Sequence, residues 1–250
     1  MQHAANDAVP PLPRRLTELV GRAALVRELV THAIEGHAVV LYGPRGIGAS
    51  AVLDVIADKI AERGRPVVRI PTLDHLADLT AALADVYLDA VVPHDQRARR
   101  ALVQEAVRLR PGALLVDRVG QVSVMVRHDL RALAGAGMAA VLVGAVDDRL
   151  DHQRLRGLRL AHRELEIPVL DRRRLRKVLK MRLDGNVAAA LEPHDRERLL
   201  RAASGRPGLL SRMADRLDEG AYWRNGRILV EVLRADAMAV DTFDGTRSTR

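Results

Sequence analysis

The stretch from Ala38 to Ala61 constrains the fold of this chain more than any other. Ala38-Val39-Val40-Leu41-Tyr42 is a short unbroken apolar run, Gly43-Pro44-Arg45-Gly46-Ile47-Gly48-Ala49-Ser50 follows it, and Ala51 to Ala61 then takes up helical apolar spacing. Strand, glycine loop and helix in that order form the phosphate cradle G-x-x-x-x-G-K-[ST]. Its glycines let successive backbone N–H groups turn toward one anion, and the N-terminus of the following helix adds partial positive charge. Every fixed position is met except one, because Ala49 stands where the lysine belongs. The backbone cradle is expected to persist with a weaker hold on the outer phosphates, since a methyl group neither reaches nor neutralises them. Gly43, Pro44, Arg45, Gly46, Ile47, Gly48, Ala49, Ser50 and Ala51 are the candidate nucleotide contacts, with Arg45 as a substitute cation.

The same alternation continues on both sides of the loop. A helical pattern from Leu16 stops at Gly36, and Arg63-Gly64-Arg65-Pro66 turns into a second strand, Val67 to Ile70. Helical stretches at Leu73 to Tyr87 and Gln96 to Leu109 lead to the apolar strand Ala113-Leu114-Leu115-Val116-Asp117. A helix from about Val122 to Ala134 and the strand Ala139 to Val143 come next. Short apolar strands alternating with amphipathic helices predict an α/β fold, a parallel sheet sandwiched by helices as in P-loop NTPases. Beyond Asp147 come a basic connector, a strand-like Glu164 to Leu170, and helices at Arg172 to Arg182, Asp195 to Ala203 and Leu209 to Leu217. The expected organisation is a disordered arm at 1–15, an α/β domain at 16–170, a small helical lid at 171–240 and a disordered tail at 241–250.

Composition narrows the classes. With 250 residues and 48% hydrophobic content the chain can bury a substantial core, and at 2% aromatic that core is aliphatic. Stacking platforms for single-stranded nucleic acid are excluded by the same scarcity. The absence of cysteine removes disulfides, thiol nucleophiles and thiolate metal sites. The nine histidines show no H-E-x-x-H pattern and no tight ligand cluster, so a metal site of protein ligands is not expected. No run approaches a membrane span and Met1 to Pro13 lacks a secretory apolar core, so a cytoplasmic protein without membrane contact is expected. The formal charge is +8, and Arg149 to Arg182 alone carries a surplus of that size. Such a stripe attracts nucleic acid or an acidic protein surface by counterion release. Yet Lys59, Lys177 and Lys180 are the only lysines among 40 basic residues, a bias that GC-rich coding produces without any binding role.

Asp117, at the end of an apolar strand, is placed to orient a magnesium ion with Ser50 as the matching hydroxyl. Arg118 follows it, and a guanidinium cannot act as a base toward water.

Across roughly residues 16 to 235 the chain resembles the AAA+ and STAND group of P-loop ATPases. Leu19-Val20-Gly21-Arg22 is similar to the group's Val-Gly-Arg box, Leu41 to Gly48 to its glycine loop, and Gly205-Arg206-Pro207 to the Gly-x-Pro motif of the STAND lid. Glu166 to Leu170 looks like the passage into that lid. The resemblance implies that Val20, Gly21 and Arg22 lie near an adenine, that Pro207 approaches the nucleotide, and that Arg212 faces the phosphates from the lid. It implies ATP or ADP with Mg2+ as ligands. Ala49 departs from the pattern, Arg118 stands where a second carboxylate is usual, and Gly144-Ala145-Val146 offers no polar sensor. Weak or absent ATP turnover is the expectation. Arg149, Arg154 and Arg156 sit where some relatives present an arginine to a neighbouring subunit.

Two functions fit these observations. The first is a nucleotide-responsive switch in transcriptional regulation or signalling, read by a protein partner or by self-association. The alternatives are a DNA-associated AAA+ adaptor gripping phosphates through the Arg149 to Arg182 stripe, chiefly Arg172, Arg173, Arg174 and Arg176, and a pseudo-ATPase scaffold that binds no nucleotide.

Overall fold

Strand β1 (Ala38–Gly43) is buried along its whole length, and its side chains divide between two sides. Ala38, Val40 and Tyr42 join one apolar cluster, and Val39 and Leu41 join another. A strand buried on both faces needs helices above and below it. The chain supplies α1 (Ala23–Ile34) before β1, then α2 (Ala49–Ala61), β2 (Val67–Leu73), α3 (Leu76–Tyr87) and α4 (Gln96–Leu109). These are followed by β3 (Ala113–Val119), α5 (Val124–Gly135), β4 (Ala139–Ala145), α6 (Arg149–Gly157) and β5 (His162–Glu166). The computed structural model describes residues 19–88, 93–120, 122–145, 149–158, 160–183, 187, 190–217 and 219–243. The arm expected at 1–15 lies outside them.

The five strands form one sheet in the order β2-β3-β4-β1-β5, parallel throughout. This is the expected α/β architecture, with helices on both faces. On one side α1 contributes Val26, Leu29, Val30 and Ala33, and α2 contributes Val52, Leu53, Ile56 and Ile60; these pack on Val39, Leu41, Leu115 and Val141. On the other side Leu79 and Leu83 of α3, Val103 and Val107 of α4, and Leu130 and Leu133 of α5 cover Val40, Leu114, Val116 and Leu142. The i, i+3, i+4, i+7 spacing of the α1 set puts one apolar stripe on the sheet. Because β1 lies between β4 and β5 while β2 sits at the far edge, the chain crosses over two strands after the glycine loop. Ligands of open α/β sheets bind at the carboxyl ends of strands near such a switch.

Every strand of the sheet differs in extent from the sequence reading: β1, β3 and β4 run one or two residues further, and β3 carries on past Asp117 through Arg118 to Val119. β2 continues past Ile70 through Pro71 to Leu73, tolerated because it is an edge strand on which a missing N–H breaks no ladder. β5 begins earlier and ends at Glu166, leaving Pro168 beyond it.

After β5 come α7 (Arg172–Arg182), α8 (Pro193–Ala203), α9 (Pro207–Ala214), a two-residue-strand hairpin of β6 (Trp223–Arg224) and β7 (Arg227–Ile228), and α10 (Val230–Phe243). These share a third apolar cluster built on Leu175, Leu179, Leu199, Leu200, Leu210, Met213 and Leu233. α10 runs three residues into the segment read as a tail; 244–250 lie outside the described residues.

Candidate functional site

The glycine loop closes as its sequence requires. Ile47 donates its N–H to the Pro44 carbonyl at 3.0 Å, and Gly46 and Gly48 take φ values of +78° and +84°. A side chain strains those conformations, and Gly48 is the residue from which α2 springs. Ile47 is buried under the loop and Ala49 opens the helix half-buried, while Arg45 and Ser50 are exposed.

Ser50 Oγ donates to Asp117 Oδ1 at 3.0 Å, so the two residues read from sequence as metal-orienting do meet. A hydroxyl and a carboxylate of this kind suit Mg2+, which takes few protein ligands and completes its shell with phosphate and water. Beside them stands a residue that sequence reading missed. Arg69 of β2 is ion-paired with Asp54 of α2, lies 3.6 Å from Asp117 Oδ2 through Nη2, and donates to the Ser50 carbonyl at 3.4 Å. The donor set fits magnesium, but a fixed guanidinium already balances part of the carboxylate charge. Arg118 turns the other way and donates to Thr72 Oγ1 at 3.1 Å.

Arg22 is the most unusual side chain near the loop. It is 3% exposed, has no carboxylate partner among the described residues, and leaves Nε buried without a hydrogen bond. Its Nη2 donates to the Pro168 carbonyl at 3.3 Å, and its Nη1 lies 3.9 Å from where a Cβ on Gly48 would stand. Burial lowers its pKa to about 10, so at neutral pH it is a desolvated cation held against the glycine loop. Val20 and Gly21 precede it, and the aliphatic stem of Arg174 lies over Gly21.

The C-terminal helices reach the same loop. Leu209, in the first turn of α9, donates its N–H to the Gly46 carbonyl at 3.1 Å. A Cβ on Gly208 would meet that carbonyl oxygen at 2.8 Å, and Pro207 approaches within 3.5 Å of the Cβ position at Gly48. Arg212 donates through Nε to the Ala237 carbonyl at 3.0 Å and brings Nη2 to 3.1 Å from the Cβ position at Gly46. Pro207 and Arg212 are thus at the loop, together with Gly208, which the sequence did not single out.

The basic stripe is less available than its charge suggests. Arg172 pairs with Glu197 at 3.5 Å and Arg176 hydrogen-bonds the same carboxylate, whose pKa is lowered chiefly by that bond. Arg174 pairs with Asp171 at 3.4 Å and Arg182 with Asp215 at 3.9 Å. Arg173, Lys177 and Lys180 remain exposed. Arg154 and Arg156 lie on α6; the side chain of Arg149 and all of Arg159 are outside the described residues, as are 146–148. The expectation of no histidine cluster is corrected: His32, Glu35 and His37 converge where α1 turns into β1.

The sequence matches no known protein-family pattern, and no curated protein matches it. Among solved structures the chain is similar to a Walker-type ATPase of Pyrococcus abyssi, with a TM-score of 0.60 at 15% identity over 96% of this chain and 79% of that one. It overlaps more loosely with RuvB of Thermotoga maritima, at a TM-score of 0.46, 16% identity, and 88% and 67% of the two chains. A DNA replication initiation factor gives 0.43, 15%, and 71% and 54%. The fold is that of a P-loop ATPase. No helix among the described residues is long and apolar enough to cross a membrane.

Proposed function

We propose that this chain binds ATP or ADP between its glycine loop and its C-terminal helices and acts as a hydrolysis-poor switch of the AAA+/STAND type, in the cytoplasm, read by a partner protein or by further copies of itself. The α/β part at 16–170 carries the cradle and 171–240 acts as the lid. One observation carries the reading: a buried guanidinium, Arg22, has no acid among the described residues and is held charged against a glycine loop that already offers backbone N–H groups and a helix N-terminus. An unpaired buried charge is expensive unless a ligand completes it. A phosphate does so with charge-assisted hydrogen bonds, and Arg22 then supplies a cation in place of the one missing at Ala49.

Pro207, Gly208 and Arg212 support a lid whose position responds to what the loop holds, since they touch Gly46 and Gly48 directly. Such a lid biases a two-state element only through contacts that differ between the states, which this seat on the loop supplies. Bound magnesium would neutralise charge on the outer phosphates, with Ser50 and Asp117 as its protein side. Arg118, committed to Thr72, offers no base to a water, so steady turnover is not expected. A role in transcription or signalling rests on the AAA+/STAND resemblance.

The test is calorimetric titration of the purified chain with Mg-ATP and Mg-ADP, alongside Ala49→Lys. Micromolar binding by the native chain, tightened by the lysine, is the expected result. Binding only after lysine is restored would overturn the switch in favour of a scaffold. ATP turnover well above that of a Ser50→Ala, Asp117→Ala double variant would overturn the hydrolysis-poor assignment.

A DNA adaptor remains the second reading because Arg173, Lys177 and Lys180 recur at i, i+4, i+7 on an exposed face of α7. Duplex DNA affinity that falls steeply with salt, and falls again when these three are neutralised, supports it. Undetectable affinity at low salt removes it.

A further inference from the structure

We infer that the turn between α1 and β1 is a zinc site, formed by His32 Nδ1, His37 Nδ1 and a Glu35 carboxylate oxygen, with solvent as the fourth ligand. His37 donates its N–H to the His32 carbonyl at 2.9 Å, and Gly36, at φ +78°, donates to the Ala33 carbonyl at 3.4 Å. These are the two hydrogen bonds of a Schellman helix end, which brings the side chain three positions before the cap against the one two positions after it. That contact is ordinarily apolar. Here both positions are imidazoles, and the cap residue between them is Glu35.

The three ligand atoms are already spaced for a metal. The two Nδ1 atoms are 3.5 Å apart, and Glu35 Oε2 lies 3.7 Å from the first and 3.1 Å from the second. Zn–N and Zn–O bonds of about 2.0–2.2 Å put neighbouring ligands of a tetrahedron roughly 3.3–3.5 Å apart. The triangle therefore has the size of one face of that tetrahedron. His32 is more than nine-tenths buried, and its Nε2 has no hydrogen bond and points toward Glu28, whose Oε1 is 4.0 Å away. A metal on Nδ1 fixes the proton on Nε2, which is turned toward that carboxylate at 4.0 Å, beyond hydrogen-bond reach. Glu35 and His37 are about half exposed, so the fourth position opens to water. The carbonyl end of α1 adds partial negative charge. Two imidazoles and one carboxylate suit zinc among the available divalent ions.

A second group, Glu192, His194 and Asp195, serves as a control. There the carboxylates face opposite nitrogens of one ring, Glu192 at Nδ1 and Asp195 at Nε2, so one ion cannot use both pairs.

The full chain is freed of metal with a chelator and titrated with ZnCl2 in a calorimeter, and its thermal midpoint is measured with and without the ion. His37→Ala and Glu35→Gln alter half-exposed side chains, and circular dichroism checks that both fold. One equivalent should bind the native chain and raise its midpoint. Glu35→Gln should weaken binding at least tenfold. His37→Ala should weaken it more than a hundredfold and abolish the midpoint shift, going beyond the roughly 10–100-fold that loss of an outer partner costs. His194→Ala should change nothing. Absence of a one-to-one isotherm, or equal binding by native and His37→Ala chains, would leave a hydrogen-bonded triad and overturn the proposal.

Discussion

Replacing Arg22 with methionine should make the ligand-free protein more stable and the nucleotide complex weaker. The fall of its pKa from the ordinary arginine value to about 10, at about 1.36 kcal/mol per pKa unit, corresponds to about 3 kcal/mol against the charged form in the fold. The sign follows directly. Below about pH 10 the folded protein bears this penalty in full, and it is relieved only as pH rises through that value, so it is present across the neutral range. Methionine keeps the length and most of the packing of the arginine stem without the charge. It gives up the hydrogen bond to Pro168, a contribution of about 0.5–1.5 kcal/mol. The difference leaves Arg22→Met more stable by about 1.5–2.5 kcal/mol in urea denaturation. Calorimetry with ADP should move the opposite way, because losing one charge-assisted bond to phosphate costs about 1.5–3 kcal/mol, or about ten- to a hundredfold in Kd. Opposed signs are what distinguish a ligand-binding cation from a structural one. A variant that is less stable than the native chain and binds ADP equally well would refute the reasoning.

Three further outcomes follow from other contacts. Gly208→Ala should gain about 1 kcal/mol in helix propensity and lose about 1–3 kcal/mol from a Cβ pressed on the Gly46 carbonyl. The net is a less stable chain with faster hydrogen exchange at the Leu209 amide; a variant as stable and as protected as the native would show that α9 does not rest on the loop. Arg69→Ala should make ADP affinity depend more steeply on Mg2+ than in the native chain, since Asp117 then lacks its standing cation; superimposable magnesium curves would exclude that role. Glu197, held below its usual pKa first by the Arg176 hydrogen bond, contributes stability that is present above the ordinary glutamate value near 4.3 and lost as pH falls through its folded value. Glu197→Gln should therefore flatten the acid limb of the stability profile, and unchanged acid limbs in the two proteins would count against the pairing.

The sequence was most informative where function and secondary structure depend on neighbouring residues. The run Ala38 to Ala61 declares a strand, a positive-φ turn and a helix by local chemistry alone; Asp117 could be placed on an apolar strand for the same reason, although β3 runs on past it to Val119. Strand order could not be read this way, because β1 pairs with β4 and β5, which follow it by about a hundred residues or more. Arg69 had no signal in the sequence: its meaning comes from Asp54 on a helix and Asp117 on another strand. The Val-Gly-Arg resemblance pointed to Arg22, yet its burial cannot be seen without Pro168 and the glycine loop around it, nor can its lack of an acid among the described residues. Counting charges overstated the basic stripe, since Glu197 and Asp215 reach it from later helices. His32, Glu35 and His37 escaped notice because their spacing belongs neither to a helix face nor to a strand; a left-handed glycine folds the last of them back onto the first.

The Leu209–Gly46 hydrogen bond joins main chain to main chain, whereas α7 and α8 are held to each other partly by exposed ion pairs on Glu197. Added salt weakens solvent-exposed ion pairs of this kind, while a neutral amide–carbonyl contact between packed elements barely responds. High ionic strength should therefore release the pairs on Glu197 first, while the leucine cluster shared by α7 and α8 and the seat of α9 on the loop hold. The part of the C-terminal section that touches the glycine loop would then be the part least sensitive to salt.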